Sequence, residues 1–374
     1  MNTPEERMLN AYKGIESDCI PCAPEFWNYY PAKLMGISMI EYQREIPHWV
    51  GLLESFRKFK CEGWGITSPV EKNPHVKIKS KLKKIDDELY TEFQDIILKD
   101  ITLSRIVSFH KEHPSWIEKY PVDDYDNVLH YFNSYINDDI EFDLKNSVNT
   151  YNQLAGQFLL EINLGYSFFD FFKQILGFEG AIFYFFEEEE LILKEMADKY
   201  LIFKKRLVEK ITNETTFKAA FITCDSSCTA LLGANLWRKW DKPYEKAIVD
   251  HCHKLGLLVH HHNHGPVMNI LADMVEVGFD CICPFERPPG DVIGIEGIKK
   301  VRTILQDKTT FNGNIHTVKA LIQGTTEDVR KQVREVKEAF KGSNRVIIGS
   351  GDQIGPGTPD ENLWAMVEEA RKKD

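Results

Sequence analysis

The C-terminal half of the chain alternates short apolar runs, rich in β-branched residues, with amphipathic stretches of helical period. The candidate strands are residues 219–223, 257–261, 280–283, 309–312 and 346–349. This alternation is typical of a parallel sheet covered by helices, and a linker rich in Pro, Gly or Ser does not interrupt it. We therefore predict one (β/α)8 TIM-barrel domain over residues 1–374, although the periodicity alone also permits an open, doubly wound sheet.

Local signals mark the ends of two of the predicted helices. Thr325 or Thr326 is placed to cap one helix, and Gly342 stands where that helix should stop. Thr358 is the predicted N-cap of the closing helix, with Pro359 at its first position.

The first 200 residues are less regular and very aromatic. We expect them to hold the opening strands of the barrel, an N-terminal extension and long insertions. Most of these aromatic side chains are expected to be core residues, because large apolar rings are usually buried.

Charge and composition exclude several classes of function. Fifty-seven acidic and 46 basic side chains give a net charge of −11, which argues against binding to nucleic acid or to an anionic membrane surface. The N-terminal residues lack the pattern of a secretory signal, and the apolar runs are too short to span a bilayer. The eight cysteines, including Cys19-x-x-Cys22 and Cys281-x-Cys283, are interpreted as reduced thiols of a cytoplasmic protein.

The densest chemical signal is Val259-His-His-His-Asn-His-Gly-Pro266, at the end of a predicted strand. Side chains alternate along a strand, so His260, His262 and His264 should share one face while His261 points the other way. Imidazoles crowded together favour a bound metal ion or an acid among them. The alternative is a polar loop with incidental histidines.

Carboxylates at the ends of neighbouring strands extend this candidate site. Glu286 follows strand 280–283, Asp352 follows strand 346–349 and Asp225 follows strand 219–223. In a (β/α)8 barrel these positions meet at the C-terminal face, where active sites of the fold lie. For Glu286 the competing interpretation is an ion pair with Arg287.

Several motifs resemble the uroporphyrinogen decarboxylase superfamily. They are Trp240-Asp-Lys-Pro-Tyr244, the strand-His-x-x-Gly turn ending at Gly265, Asn312-Gly-Asn314, Gly324-Thr-Thr-Glu327, the stretch from Gly351 to Asn362, and the N-terminal Glu6-Arg7 to Gly14 and Pro21 to Phe26-Trp27. The decarboxylases carry an arginine-bearing loop where this chain reads Ala23-Pro-Glu-Phe-Trp-Asn-Tyr-Tyr30. The resemblance therefore favours the corrinoid-dependent methyltransferase branch over tetrapyrrole decarboxylation.

That branch binds zinc through His-x-Cys, a later Glu and a late Cys, which implies a Zn²⁺ site at His262, His264, Glu286 and Asp352 in this chain. Imidazole and carboxylate replace both thiolates, and this harder donor set favours an oxygen-containing substrate over a thiol. Asp225 and His260 are assigned catalytic roles, with Asp225 contacting substrate or supporting the ligands.

The resemblance and the donor set together suggest removal of a methyl group from an O-methyl donor, expected to be a methoxylated aromatic. The acceptor would be the cobalamin of a separate corrinoid protein, and the metal would activate the ether oxygen. The predicted substrate-binding residues are Glu25, Trp27, Asn28, Tyr166, Phe168 and Asn314.

Other functions remain open at this stage. Within the same fold the methyl donor could be methanol, a methylamine or a thiol. A metal-dependent hydrolase would use His262, His264 and Asp352 to hold a water nucleophile, with Asp225 as base. A barrel that acts only as a docking subunit is a third class, and a homodimer is possible in each case.

Overall fold

The computed structural model describes residues 1–224 and 231–372. In chain order the strands are β1 Cys22–Ala23, β2 Trp64–Thr67, β3 Val70–Lys72, β4 Lys77–Lys84, β5 Leu89–Ile97, β6 Thr102–His110, β7 Trp116–Lys119, β8 Glu141–Asp143, β9 Leu159–Tyr166, β10 Ala219–Thr223, β11 Leu258–His262, β12 Cys281–Phe285, β13 Thr310–Ile315 and β14 Val346–Ser350.

The helices are α1 Pro4–Lys13, α2 Tyr29–Met35, α3 Met39–Arg44, α4 His48–Phe59, α5 Val128–Tyr135, α6 Lys145–Leu154, α7 Phe168–Glu187, α8 Glu190–Glu214, α9 Ala234–Trp240, α10 Lys242–Lys254, α11 Leu271–Val277, α12 Gly294–Leu305, α13 Thr326–Ala339 and α14 Asp360–Arg371. A 3-10 turn covers Tyr125–Asn127, and a π-helical turn covers Thr317–Ile322. In the described part of the chain, no helix combines the length and apolar character that a membrane span requires.

Eight parallel strands form the central sheet in the order β1-β14-β13-β12-β11-β10-β9-β2, and each of them except β2 is followed directly by a helix or helical turn. The two edge strands meet where the Glu62 backbone N–H donates to the Cys22 carbonyl at 3.0 Å. This arrangement confirms the predicted TIM-barrel-like fold. Strands β10 to β14 all lie within two or three residues of their predicted positions.

Long insertions interrupt the barrel in its first half, as the irregular sequence there predicts. Residues 68–158 separate β2 from β9 and carry the antiparallel sheet β4-β5-β6-β7 and the pair β3-β8. The buried cluster of apolar side chains nevertheless includes Ile96 and Leu103 of this insertion together with barrel residues such as Ile162 and Ile348. The inserted sheet therefore packs onto the barrel core.

The two helix-end predictions have different outcomes. Thr325 caps α13, and its hydroxyl accepts the Asp328 backbone N–H at 3.2 Å. The prediction for Thr358 is wrong: α14 begins one residue later with Pro359 at the N-cap position, and the Thr358 hydroxyl donates to the Gly355 carbonyl instead. A threonine hydroxyl can satisfy a turn carbonyl as well as a helix N–H, so sequence alone did not distinguish the two.

Candidate metal and substrate site

A cavity of about 400 Å³ opens at the C-terminal ends of the barrel strands. Its walls come from β1, β2, β9, β10, β11, β14 and the turns that follow them, and the residues are Glu25, Trp27, Asn28, Trp64, Ile66, Asn163, Gly165, Tyr166, Phe221, Thr223, His262, His264, Asp352 and Gln353. This volume lies within the roughly 300–1,000 Å³ of pockets that take small organic molecules. The active-site end of the barrel thus carries an aromatic cavity with imidazoles and carboxylates in its wall.

Strand β11 divides its histidines between two faces, as the alternation predicts. His260 and His262 point into the barrel, where both rings pack against Trp64 and Phe221. His261 points outward and packs edge-on against Phe279, with ring centroids 4.2 Å apart.

The rings of His262 and His264 lie nearly perpendicular to each other in the cavity wall, with their centroids 4.7 Å apart. Their Nε2 atoms are 3.1 Å apart. Two nitrogens bound to one tetrahedral zinc ion at about 2.0–2.1 Å would lie roughly 3.3 Å apart, so the pair fits one ion with little movement.

Glu286 sits beside His264 rather than against the Nε2 pair. Its Oε1 lies 2.9 Å from His264 Nδ1 and accepts the Gly265 backbone N–H at 3.0 Å. A carboxylate on Nδ1 directs the lone pair of Nε2 toward a metal. The competing pairing with Arg287 does not occur, since that guanidinium binds Glu335 at 2.7 Å.

Asp352 borders the same cavity as the two histidines. Among the described residues, however, His262, His264, Glu286 and Asp352 do not form a set whose ligand atoms all lie within 4.8 Å of one another. The histidine pair is the part of the predicted ligand set that the structure brings together.

Burial keeps the central imidazole neutral. Desolvation lowers the pKa of His262 well below its usual value, and the neighbouring imidazoles lower it further. A neutral ring offers a lone pair, which is the form that binds a metal.

Cys283 is a site residue that sequence reasoning missed. Its Sγ lies 2.9 Å from His260 Nε2 and 3.1 Å from His262 Nδ1. The position follows from the parallel register of β11 and β12, in which His262 is the partner of Cys283. The Cys281-x-Cys283 spacing was the available signal, but it does not reveal which strand lies alongside.

A line of buried hydrogen bonds continues below the cavity. His260 Nδ1 lies 2.8 Å from Glu161 Oε2, and the Tyr12 hydroxyl donates to the other oxygen of Glu161 at 3.0 Å. His260 therefore lies one layer beneath the cavity wall, joined to it through Cys283. Tyr12 and Glu161 come from α1 and β9, and the sequence carried no pattern that linked them to the histidines.

The predicted substrate-binding residues fall into two groups. Glu25, Trp27, Asn28 and Tyr166 line the cavity. Phe168 does not: it is 2% exposed and packs in the helix layer against Phe172 and Trp240.

Asn314 also lies outside the lining. Its side-chain amide donates to the carbonyls of Phe285 and Val292, at 3.1 and 3.4 Å, and so holds the segment that carries Glu286. Asp225 lies outside the described residues.

A second chamber of about 330 Å³ adjoins the cavity and shares Asn163, Gly165 and Tyr166 with it. Lys204 projects into this chamber from α8 and donates to the Leu164 carbonyl. Burial lowers the pKa of Lys204 to about 8. Sequence analysis did not single out this lysine, because only the packing of α8 on β9 makes it buried.

One comparison with known proteins matches the C-terminal part of the chain. Residues 209–373 match the model of the uroporphyrinogen decarboxylase (URO-D) family. A segment of 141 residues is 32% identical to the "Methylcobamide:CoM methyltransferase MtbA" of Methanosarcina mazei (strain ATCC BAA-159 / DSM 3647 / Goe1 / Go1 / JCM 11833 / OCM 88). This match spans 38% of the chain and 38% of that homologue.

A solved structure described as a methyltransferase from Methanosarcina mazei is similar over the whole fold. It superposes with a TM-score of 0.67 at 14% sequence identity, over 99% of this chain and 98% of that one. At this identity the likeness establishes a shared fold.

Proposed function

We propose that this chain is a methyltransferase that moves the methyl group of a methoxylated aromatic compound to a corrinoid carried by a separate protein. The match to the URO-D family model and the homology to a methylcobamide methyltransferase support corrinoid methyl transfer. The observation that carries the substrate assignment is the cavity, in which the pair His262 and His264 lies in one wall and Trp27 and Tyr166 lie in others.

His262 and His264 would hold a Zn²⁺ ion, and Asp352, which lines the same cavity, is a candidate oxygen donor to it. Bound there, zinc would withdraw electron density from an ether oxygen and so make the phenolate a better leaving group. Nitrogen and oxygen donors are harder than the thiolates of thiol-methylating relatives, which suits an oxygen substrate.

The remaining cavity residues bind and orient the donor. Trp27, Trp64 and Tyr166 offer flat faces for an aromatic ring and exclude water from it. Glu25 and Asn28 supply polar atoms for a ring hydroxyl. Their task is positioning, because the reduced corrinoid supplies the nucleophile.

The proposal is tested by supplying the zinc-loaded chain with a reduced corrinoid protein and a panel of methyl donors. Methoxylated phenols should yield the free phenol together with the absorbance change of methyl transfer to cobalt, whereas methanol, methylamines and methyl thioethers should not. Failure of every ether would contradict the oxygen-donor assignment. Turnover without a corrinoid protein would indicate the hydrolase, and a chain unable to take up metal would indicate the docking subunit.

Replacing one cavity histidine tests whether activity depends on the bound metal or only on the fold. His264→Ala should lower methyl transfer by about 100-fold or more and remove the cavity metal, since one ligand of a pair is lost. The matched control is His113→Ala. This histidine is exposed in the connection between β6 and β7, and the variant should retain activity and metal. Equal loss in both variants would mean that the effect is not at the cavity.

A further inference from the structure

A second group of buried donor atoms lies behind the cavity, on the outer face of β11. It consists of Cys224, Glu245 and His261, whose candidate ligand atoms all lie within 4.8 Å of one another. The three residues are only 1%, 2% and 1% exposed. They come from the end of β10, from α10 and from β11, so the group joins the barrel wall to a covering helix.

The imidazole of His261 lacks hydrogen-bond partners. Among the described residues neither Nδ1 nor Nε2 has one, although the ring is buried. Glu245 Oε2 is also unpaired there. A buried polar group without a partner destabilises the fold, and a bound ion is one way to satisfy it.

The charges around this group favour a cation. Within the described ranges Glu245 forms no ion pair, and its Oε1 accepts the Cys224 thiol at 2.7 Å. Asp170 and Asp241 are also buried, and both interact electrostatically with Glu245. Several carboxylates in a shielded space repel one another, and either a proton or a cation among them relieves the repulsion.

We propose that Cys224, Glu245 and His261 form a structural zinc site, separate from the cavity metal. Zinc accepts sulfur, nitrogen and oxygen donors together, and its tetrahedral ligand atoms lie roughly 3.3–3.8 Å apart. The Cys224 and Glu245 atoms, which are 2.7 Å apart, must therefore separate by about 1 Å to hold an ion between them and His261. Binding displaces the thiol proton of Cys224 to solvent. Because the Cys224 backbone N–H donates to the His262 carbonyl at 2.9 Å, the ion holds the strand that carries the cavity histidine.

Metal analysis can isolate this site from the cavity. In a His262→Ala/His264→Ala/Cys283→Ser background, which lacks the cavity donors, the full chain should retain one equivalent of zinc. Added Co²⁺ should give a sulfur-to-cobalt charge-transfer band in the near ultraviolet. Both signals should disappear on further Cys224→Ser or His261→Leu replacement. The control is Cys252→Ser, which replaces a buried thiol of α10 and should preserve both signals.

A metal-free background protein would overturn the proposal, as would zinc binding that survives loss of Cys224 and His261. These outcomes do not depend on methyl transfer, so the proposed function can fail while this site stands. Anomalous diffraction at the zinc edge from wild-type crystals tests the site without any substitution. A peak between Cys224 Sγ and His261 supports the site, and density of a water there contradicts it.

Discussion

Each cavity histidine has one ring nitrogen occupied by a protein partner and the other directed at its neighbour. His264 is held through Nδ1 by Glu286, and His262 contacts Cys283 through Nδ1. The two Nε2 atoms are thereby set at the separation that one metal ion requires. At this scale the proposed chemistry depends on which nitrogen each partner occupies.

Glu286 is expected to act on the metal through His264. Replacing it by glutamine retains an acceptor oxygen but removes the charge, so we expect zinc affinity to fall by about 10- to 100-fold and activity to recover with excess zinc. Competition with a chelator of known affinity measures the change. Glu296→Gln, an exposed carboxylate, is the control, and an unchanged affinity in Glu286→Gln would exclude the orienting role.

Lys204 should make the free energy of unfolding depend on pH in the alkaline range. Its pKa is about 8 in the folded chain and near 10.5 when unfolded, so the unfolded chain binds more protons between these values. The free energy of unfolding should therefore rise from pH 8 to 10.5, by up to about 3 kcal/mol relative to Lys204→Met.

Urea unfolding across pH 7–10.5 measures this difference. Lys199→Met on the same helix, where the lysine is exposed, should track the wild type. A constant difference between wild type and Lys204→Met over the whole range would show that Lys204 does not titrate there.

At the scale of elements, one buried side chain of α14 holds the π-helical turn Thr317–Ile322 in place. The side-chain amide of Asn362 donates to the carbonyls of Ala320, Leu321 and Gly324, at 3.4, 3.0 and 2.9 Å. Ala320 and Leu321 lie at the end of the turn and Gly324 follows it, so these carbonyls lack a continuing helix and share the two N–H groups of one amide. Asn362 is 2% exposed, so these hydrogen bonds are shielded from solvent.

Asn362→Ala should lower the free energy of unfolding by about 2–4 kcal/mol, because buried carbonyls lose their donor. Denaturant unfolding monitored by circular dichroism provides the measurement. The adjacent Glu361→Ala is exposed and should change it by less than about 0.5 kcal/mol. Similar losses in both variants would locate the effect in the helix rather than in the cap.

For the whole molecule, one buried carboxylate lies where β1 approaches the segment that leads into β2. Glu62 is 0% exposed, and it accepts the Cys22 backbone N–H at 2.9 Å together with Arg7 at 2.9 Å and Arg371 at 3.2 Å. It thus ties the N-terminal helix, the first strand and the C-terminal helix together where the sheet closes.

Glu62→Ala should destabilise the protein by about 3–5 kcal/mol, since the guanidinium groups of Arg7 and Arg371 and a strand N–H all lose their carboxylate partner. Thermal unfolding compared with Glu54→Ala, an exposed carboxylate of α4, tests this expectation. Retention of wild-type stability in Glu62→Ala would show that other contacts close the barrel.

Local patterns in the sequence were sufficient to predict much of the fold and part of the site. The strands β10 to β14 stand out because buried parallel strands need short apolar runs, and the helices between them show a 3.6-residue period. The alternation of side chains likewise placed His260 and His262 on one face and His261 on the other, since this depends only on extended backbone.

Contacts between strands and helices were decided by tertiary structure. Cys283 meets the histidines only through the register of β11 and β12. Tyr12 joins His260 through Glu161 only because α1 packs against β9. Glu245 joins His261 through the packing of α10. Periodicity in a sequence encodes which face a side chain takes, whereas the neighbour it meets depends on register and packing between segments far apart in the chain.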